Sequence, residues 1–194
     1  MNSHLRKTLA PIAALTLAAA AMPSATASPV PFNASYTGIA QVVAVVNPTG
    51  PVLRFETHAT GSGPFDLSTY FSTDVIDMST GVGNGVSVFT AANGDELHGS
   101  FSVQVVPTAL AHIVDLIGQA TFTGGTGLFS GATGSAALSG RGVFAPDGAS
   151  AQAVLAYNGS ISLVPEPGTA LLVSGGLLAI ALRGRRQLGD KPGP

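Results

Sequence analysis

An all-β fold, an antiparallel barrel or sandwich of about eight strands, is what residues 28–163 of this 194-residue chain predict. Three observations carry it. Val, Thr, Phe, Ile and Tyr recur in short runs. Gly, Pro, Asn and Asp cut those runs at hairpin spacing. Several runs alternate apolar with polar residues, the period of a strand with one buried face. No amphipathic helix pattern competes over this stretch, and no repeat of fixed period points to a solenoid.

The first run, Tyr36 to Val46, ends at Asn47-Pro48-Thr49-Gly50, a turn signal with Pro at a favoured corner. Val52 to Ala59 alternates, Leu53, Phe55 and Thr57 on one side, Arg54, Glu56 and His58 on the other, and Gly61-Ser62-Gly63-Pro64 breaks the chain again. Tyr70 to Met78 and Val86 to Thr90 follow as strands. Then comes Ala91-Ala92-Asn93-Gly94-Asp95, where Asn-Gly predicts a tight hairpin with positive φ at both corners. Leu97 to Val106 alternates cleanly, with Leu97, Gly99, Phe101, Val103 and Val105 on the apolar side. Ala109 to Thr123, Ser135 to Phe144 and Ala151 to Leu163 complete the set, the last two joined at Pro146-Asp147-Gly148. Between Thr121 and Gly134 five glycines permit positive φ and close backbone approach. A phosphate loop would need Gly-Lys-Ser/Thr opening a helix, and both are missing here. The segment therefore predicts a turn between two strands, with Leu128 and Phe129 as plugs and Phe129 closing one end of a barrel.

Both ends differ from this domain. Residues 1–27 form a signal peptide: Arg6 and Lys7 make a positive start, Leu9 to Met22 is apolar, and Ala25-Thr26-Ala27 places small residues where signal peptidase cuts, before Ser28. At the other end Val164-Pro165-Glu166-Pro167 precedes an uncharged run, 169–182, and then Arg183, Arg185 and Arg186. As a helix that run spans about 21 Å at roughly 1.5 Å per residue, short of a hydrocarbon core about 30 Å thick. Pro165 and Pro167 oppose upstream extension. Snorkelling arginines and bilayer thinning cover part of the difference, and the positive-inside rule puts the arginines on the cytoplasmic side. The expectation is a short C-terminal transmembrane helix that holds the chain in the inner membrane during transit.

Residues 164–194, with the order Val164-Pro165-Glu166-Pro167, apolar run and arginines, resemble the PEP-CTERM sorting signal of exported bacterial proteins, a tail also labelled ice-binding protein C-terminal domain. The resemblance implies recognition by an exosortase-like membrane protease, a Gram-negative host that makes exopolysaccharide, and delivery to the cell envelope or extracellular matrix. The tail departs from the pattern in its longer end, Gln187 to Pro194. Its ice-binding label says nothing about the domain before it, where only Thr121-Phe122-Thr123 fits a Thr-x-Thr step.

The domain carries Glu56, Asp66, Asp74, Asp77, Asp95, Glu96, Asp115 and Asp147 against Arg54 and Arg141, a net charge of −6. Such a surface disfavours nucleic acid, whose phosphates need Lys and Arg, and favours solubility. The chain has no Cys, so disulfides, thiolate metal sites and Cys nucleophiles are excluded. It has no Trp either, which weakens any sugar-stacking platform.

Among candidate chemical groups, Asp95, Glu96 and His98 cluster, and Glu96 and His98 share a face if the segment is a strand. No third metal ligand accompanies them. Asp74 and Asp77 fall on opposite faces of a strand, and no Gly-x-Ser-x-Gly elbow is present. His58 and His112 stand apart from any ligand spacing. No catalytic, cofactor or metal residue is assigned.

The stretch from Val86 to Leu163, through Gly124-Gly125-Thr126-Gly127-Leu128-Phe129 and the Ala132-Thr133-Gly134 step, resembles proteins of the allene oxide cyclase and dirigent type. That resemblance implies an eight-stranded antiparallel barrel with an apolar cavity. It carries over no catalytic residue, and the lack of Cys departs from cyclase sites that use one. The sequence thus leads to an exported, non-enzymatic surface or exopolysaccharide-matrix protein, with a barrel that binds or isomerises a small apolar ligand as the alternative.

Overall fold

The computed structural model describes residues 28–164 together with Gly175 and Gly176. The leader with Ala25 and Ala27, the Pro165-Glu166-Pro167 step and Arg183, Arg185 and Arg186 lie outside the described residues, as does nearly all of the 169–182 run. Ser28 and Val164, inside them, are both exposed. Among the described residues no helix is long and apolar enough to cross a membrane.

Eight strands run β1 (Val30–Asn47), β2 (Val52–Ser62), β3 (Leu67–Asp77), β4 (Val82–Ala91), β5 (Glu96–Pro107), β6 (Ile113–Gly125), β7 (Thr133–Phe144) and β8 (Ser150–Ser162). Each pairs antiparallel with its sequence neighbours, and β1 pairs with β8, so the sheet closes into a barrel and not a sandwich. Closure leaves no strand edge unpaired. The ring of pairing is complete between Val30 and Ser162.

Alternation decides which way each strand faces. In β5, Leu97, Gly99, Phe101, Val103 and Val105 are buried while Ser100, Ser102 and Gln104 are exposed. In β8, Ala151, Ala153, Leu155, Tyr157 and Ile161 point inward. In β2, Phe55, Thr57 and Ala59 do the same.

Several expected limits shift. β1 begins at Val30 rather than Tyr36: Val30 to Ser35 pair with β8, and Phe32, Ala34 and Tyr36 alternate inward against Asn33 and Ser35. β4 begins at Val82 rather than Val86, since Gly83 and Gly85 lie in register with Ile76 and Asp74 of β3. β6 begins at Ile113, four residues after Ala109. Gly61 does not break β2 but belongs to it: a Cβ there would meet the Ser35 carbonyl oxygen, so the glycine lets β1 and β2 approach. The Asn93-Gly94 turn has positive φ at Gly94 alone, at 89°. Backbone bonds from Gly94 N–H to Ala91 O and from Ala91 N–H to Asp95 O make it a longer hairpin loop with glycine in its left-handed position. Two single 3-10 turns, Pro64–Asp66 and Gly127–Phe129, are the helical segments of the barrel domain.

The up-and-down order puts the β2–β3, β4–β5 and β6–β7 connections at one end of the barrel, with the start of β1 and the end of β8. The other four hairpins lie at the opposite end. The first end is closed by packing. Phe32, Tyr36, Leu67, Phe89, Leu97, Phe129 and Ile161 are almost wholly buried there. Phe32 and Phe122 rings stand 4.4 Å apart, and Phe89 meets Tyr157 edge-on at 5.2 Å, arrangements aromatic quadrupoles favour. Phe129 closes this end as expected, at 0% exposure and packed on Phe65. Leu128 does not: it is 46% exposed and plugs nothing, because the tight turn admits only one of two adjacent side chains.

Candidate ligand cavity

Above the aromatic floor the inward side chains become smaller. Ala40, Gly142, Ala151 and Ala153 leave space that Phe55, Phe101 and Phe144 only partly fill. The result is a cavity of about 70 Å³ toward the second end of the barrel. One buried water needs roughly 10–15 Å³ by this measure, so the space exceeds a single water several-fold. Eight-stranded barrels are at the size where the interior is either filled or holds one small ligand. Ile76, Val103, Val105, Leu138 and Leu155 make most of the wall apolar. Met78, 37% exposed, and the partly buried Val114, Leu116 and Phe144 form the rim.

One wall is different. Thr57 of β2 lies in register with Ser72 of β3, and Ser72 with Ser87 of β4. All three are buried. On the same face of β3, Tyr70 and Asp74 flank Ser72, and Thr57, Tyr70, Ser72 and Asp74 border the cavity. Asp74 is 7% exposed and is the one buried charged side chain among the described residues. Burial pushes its carboxyl up to about 6 from an ordinary 3.8, with the Ser72 hydrogen bond pulling the other way. The Tyr157 hydroxyl donates to the Tyr70 hydroxyl at 3.0 Å, and Ser72 is a hydrogen-bonding neighbour of Tyr70 too. Burial pushes Tyr70 up to about 12 and raises Tyr157 and Tyr36 as well. All three phenols are therefore neutral at physiological pH; Tyr157 spends its proton on Tyr70 and Tyr36 points its own at the Leu67 carbonyl. Ser87 Oγ is buried with no hydrogen-bond partner among the described residues.

Glycine at position 85 makes room for the carboxyl. A Cβ there would sit 2.6 Å from both Asp74 Cβ and Phe101 Cζ. At the rim, Gln104 Nε2 donates to the Thr80 carbonyl at 2.9 Å, and Asp77 accepts the Ser79 N–H at 2.8 Å. Those Ser79 bonds, side chain first, hold the Asp77 carboxyl below its ordinary range. The β3–β4 hairpin beside the mouth is tied down by these bonds.

The groups that stood out in the sequence lie elsewhere. Glu96 and His98 do meet, at 2.9 Å, but on the outer face and half-exposed. Asp95 turns away from them. It accepts the Leu128 N–H at 3.0 Å and the Asn93 amide at 3.1 Å, pinning the glycine-rich turn to the β4–β5 loop. Among the described residues no three His, Cys, Asp or Glu gather as metal ligands. His58 stacks outside on Phe71 at 4.8 Å, and His112 is exposed in the β5–β6 connection with φ at 64°. Asp74 and Asp77 are separated as parity requires, and the same parity puts Asp74 inside, with Tyr70 and Ile76. A carboxylate in phase with the apolar side of a strand is the signal that marks it.

A scan against protein-family models, a search of curated proteins and a search of solved structures each find no match to this chain.

Proposed function

We propose that the chain is an exported, non-enzymatic protein of the cell surface or exopolysaccharide matrix whose barrel holds one small, mainly apolar molecule. The observation that carries the binding role is the cavity: apolar on most sides, polar on the β2–β3 wall, and placed at one end of a barrel whose other end is packed solid. Pockets of this composition take apolar bodies and orient them by a few polar groups. The export role rests on the leader and on the Pro165-Glu166-Pro167 tail. Both chain ends leave the barrel at its packed end, and Val164 passes against the Gly131 turn there.

Two measurements test the two halves. Native mass spectrometry of the full chain after exposure to short-chain lipids should show one retained molecule; a bare chain at every lipid concentration contradicts binding. Cell fractionation with Pro165, Glu166 and Pro167 all replaced by Ala should show altered processing and location; an unchanged distribution contradicts sorting through this tail.

A further inference from the structure

We propose that the cavity selects small apolar molecules bearing a hydrogen-bond donor, an alcohol or an amine, and rejects carboxylates of the same size. This inference deepens the binding role and rests on it. Among the described residues, no element packed around Asp74 brings a charge to it. Phe55 and Thr57 face it from β2, and Gly85 and Ser87 from β4. The Phe101 ring comes from β5, and apolar side chains lie across the cavity. No Lys, Arg or His among the described residues is buried. The carboxyl is thus an acceptor in a low-dielectric wall without a cation of the protein to offset it, and buried charges are normally paired.

Ligand chemistry follows from that imbalance. A second carboxylate would meet a like charge and no compensating cation, an interaction strengthened by burial. An alcohol donates one O–H to Asp74 and can accept from Tyr70, whose hydroxyl borders the same space. A protonated amine gains a charge-assisted bond, which is shorter and stronger than a neutral one. Gly85 gives Asp74 and the Phe101 ring room to pack side by side on the β4 side.

Calorimetry on the full chain at pH 7.5 with cyclohexanol, cyclohexylamine and cyclohexanecarboxylate tests this. All three share one ring, so only the head group differs. The alcohol and the amine should bind at least tenfold more tightly than the acid. Asp74→Asn should cut amine affinity at least tenfold, leave the alcohol within a few-fold and narrow the gap to the acid. A carboxylate that binds as well as the alcohol overturns the selectivity. So does an Asp74→Asn variant with unchanged amine affinity. Methylcyclohexane separates the two levels. If it binds and the head groups make no difference, the donor preference is wrong and the vessel stands. If none of the four binds, the binding role itself is wrong.

Discussion

Replacing Asp74 by Asn should make the barrel more stable at neutral pH, and the gain should vanish in acid. Ionised Asp74 is held in a wall that disfavours its charge. Its folded value of about 6 against 3.8, at about 1.4 kcal/mol per pH unit, corresponds to about 3 kcal/mol. The sign follows from proton binding. Between pH 3.8 and about 6 the folded state keeps a proton that the unfolded state has lost, so this group lowers stability as pH rises through that window. Above it the full cost applies; below it there is none. The amide is neutral throughout and keeps Ser72 as a partner. Asp74→Asn should therefore gain up to about 3 kcal/mol at pH 7.5, roughly 10 °C in Tm for a domain of this size, and nothing near pH 3.5. Asp77, whose carboxyl is held low, loses stability on acidification, but equally in both proteins, so the difference isolates Asp74. Urea unfolding of both proteins from pH 3.5 to 8 supplies the comparison. A variant that is less stable at pH 7.5, or whose difference is flat with pH, would refute the reasoning. A residue that lowers stability yet sits in a cavity wall is what a binding role would retain.

Two further outcomes separate the ends of the barrel. Phe129→Ala empties a fully buried site at the packed end and should cost about 3–5 kcal/mol in chemical denaturation, with ligand affinity at the far end unchanged. Asp95→Ala removes the acceptor for Leu128 N–H and the Asn93 amide. It should cost about 1–2 kcal/mol and speed amide exchange at Leu128, measured by hydrogen–deuterium exchange.

The barrel itself was legible because its information is local. Period-two alternation in β2, β5 and β8 and the turns at Asn47 to Gly50 and Pro146 to Gly148 fix eight strands and their facing. The start of β1 carried a signal, since Phe32, Ala34 and Tyr36 alternate with Asn33 and Ser35. Val82 to Gly85 is a strand because β3 pairs with it, and pairing across the sheet leaves no trace in that segment's own pattern. The choice of barrel over sandwich had the same origin, since it turns on β1 meeting β8. The cavity was less legible still. Its volume depends on which small residues of different strands meet in register, as Ala40 does with Ala151 and Gly142 with Ala153. Asp74 is the intermediate case: its facing was readable from parity with Tyr70 and Ile76, but its isolation from every cation appears only when the ring is closed. The apparent Asp95-Glu96-His98 cluster misled because adjacency in sequence crosses from a turn to an outward face.

Binding of a neutral fluorescent probe such as N-phenyl-1-naphthylamine, compared between the native chain and Ala153→Leu, tests the vessel most directly. The leucine adds an isopropyl group to a buried methyl on the cavity wall, and urea unfolding checks that the barrel persists. One probe per native chain, displaced by cyclohexanol and at least tenfold weaker in the folded variant, is the expected result. Equal affinity in the two proteins, or no binding to either, would mean that the interior takes no guest.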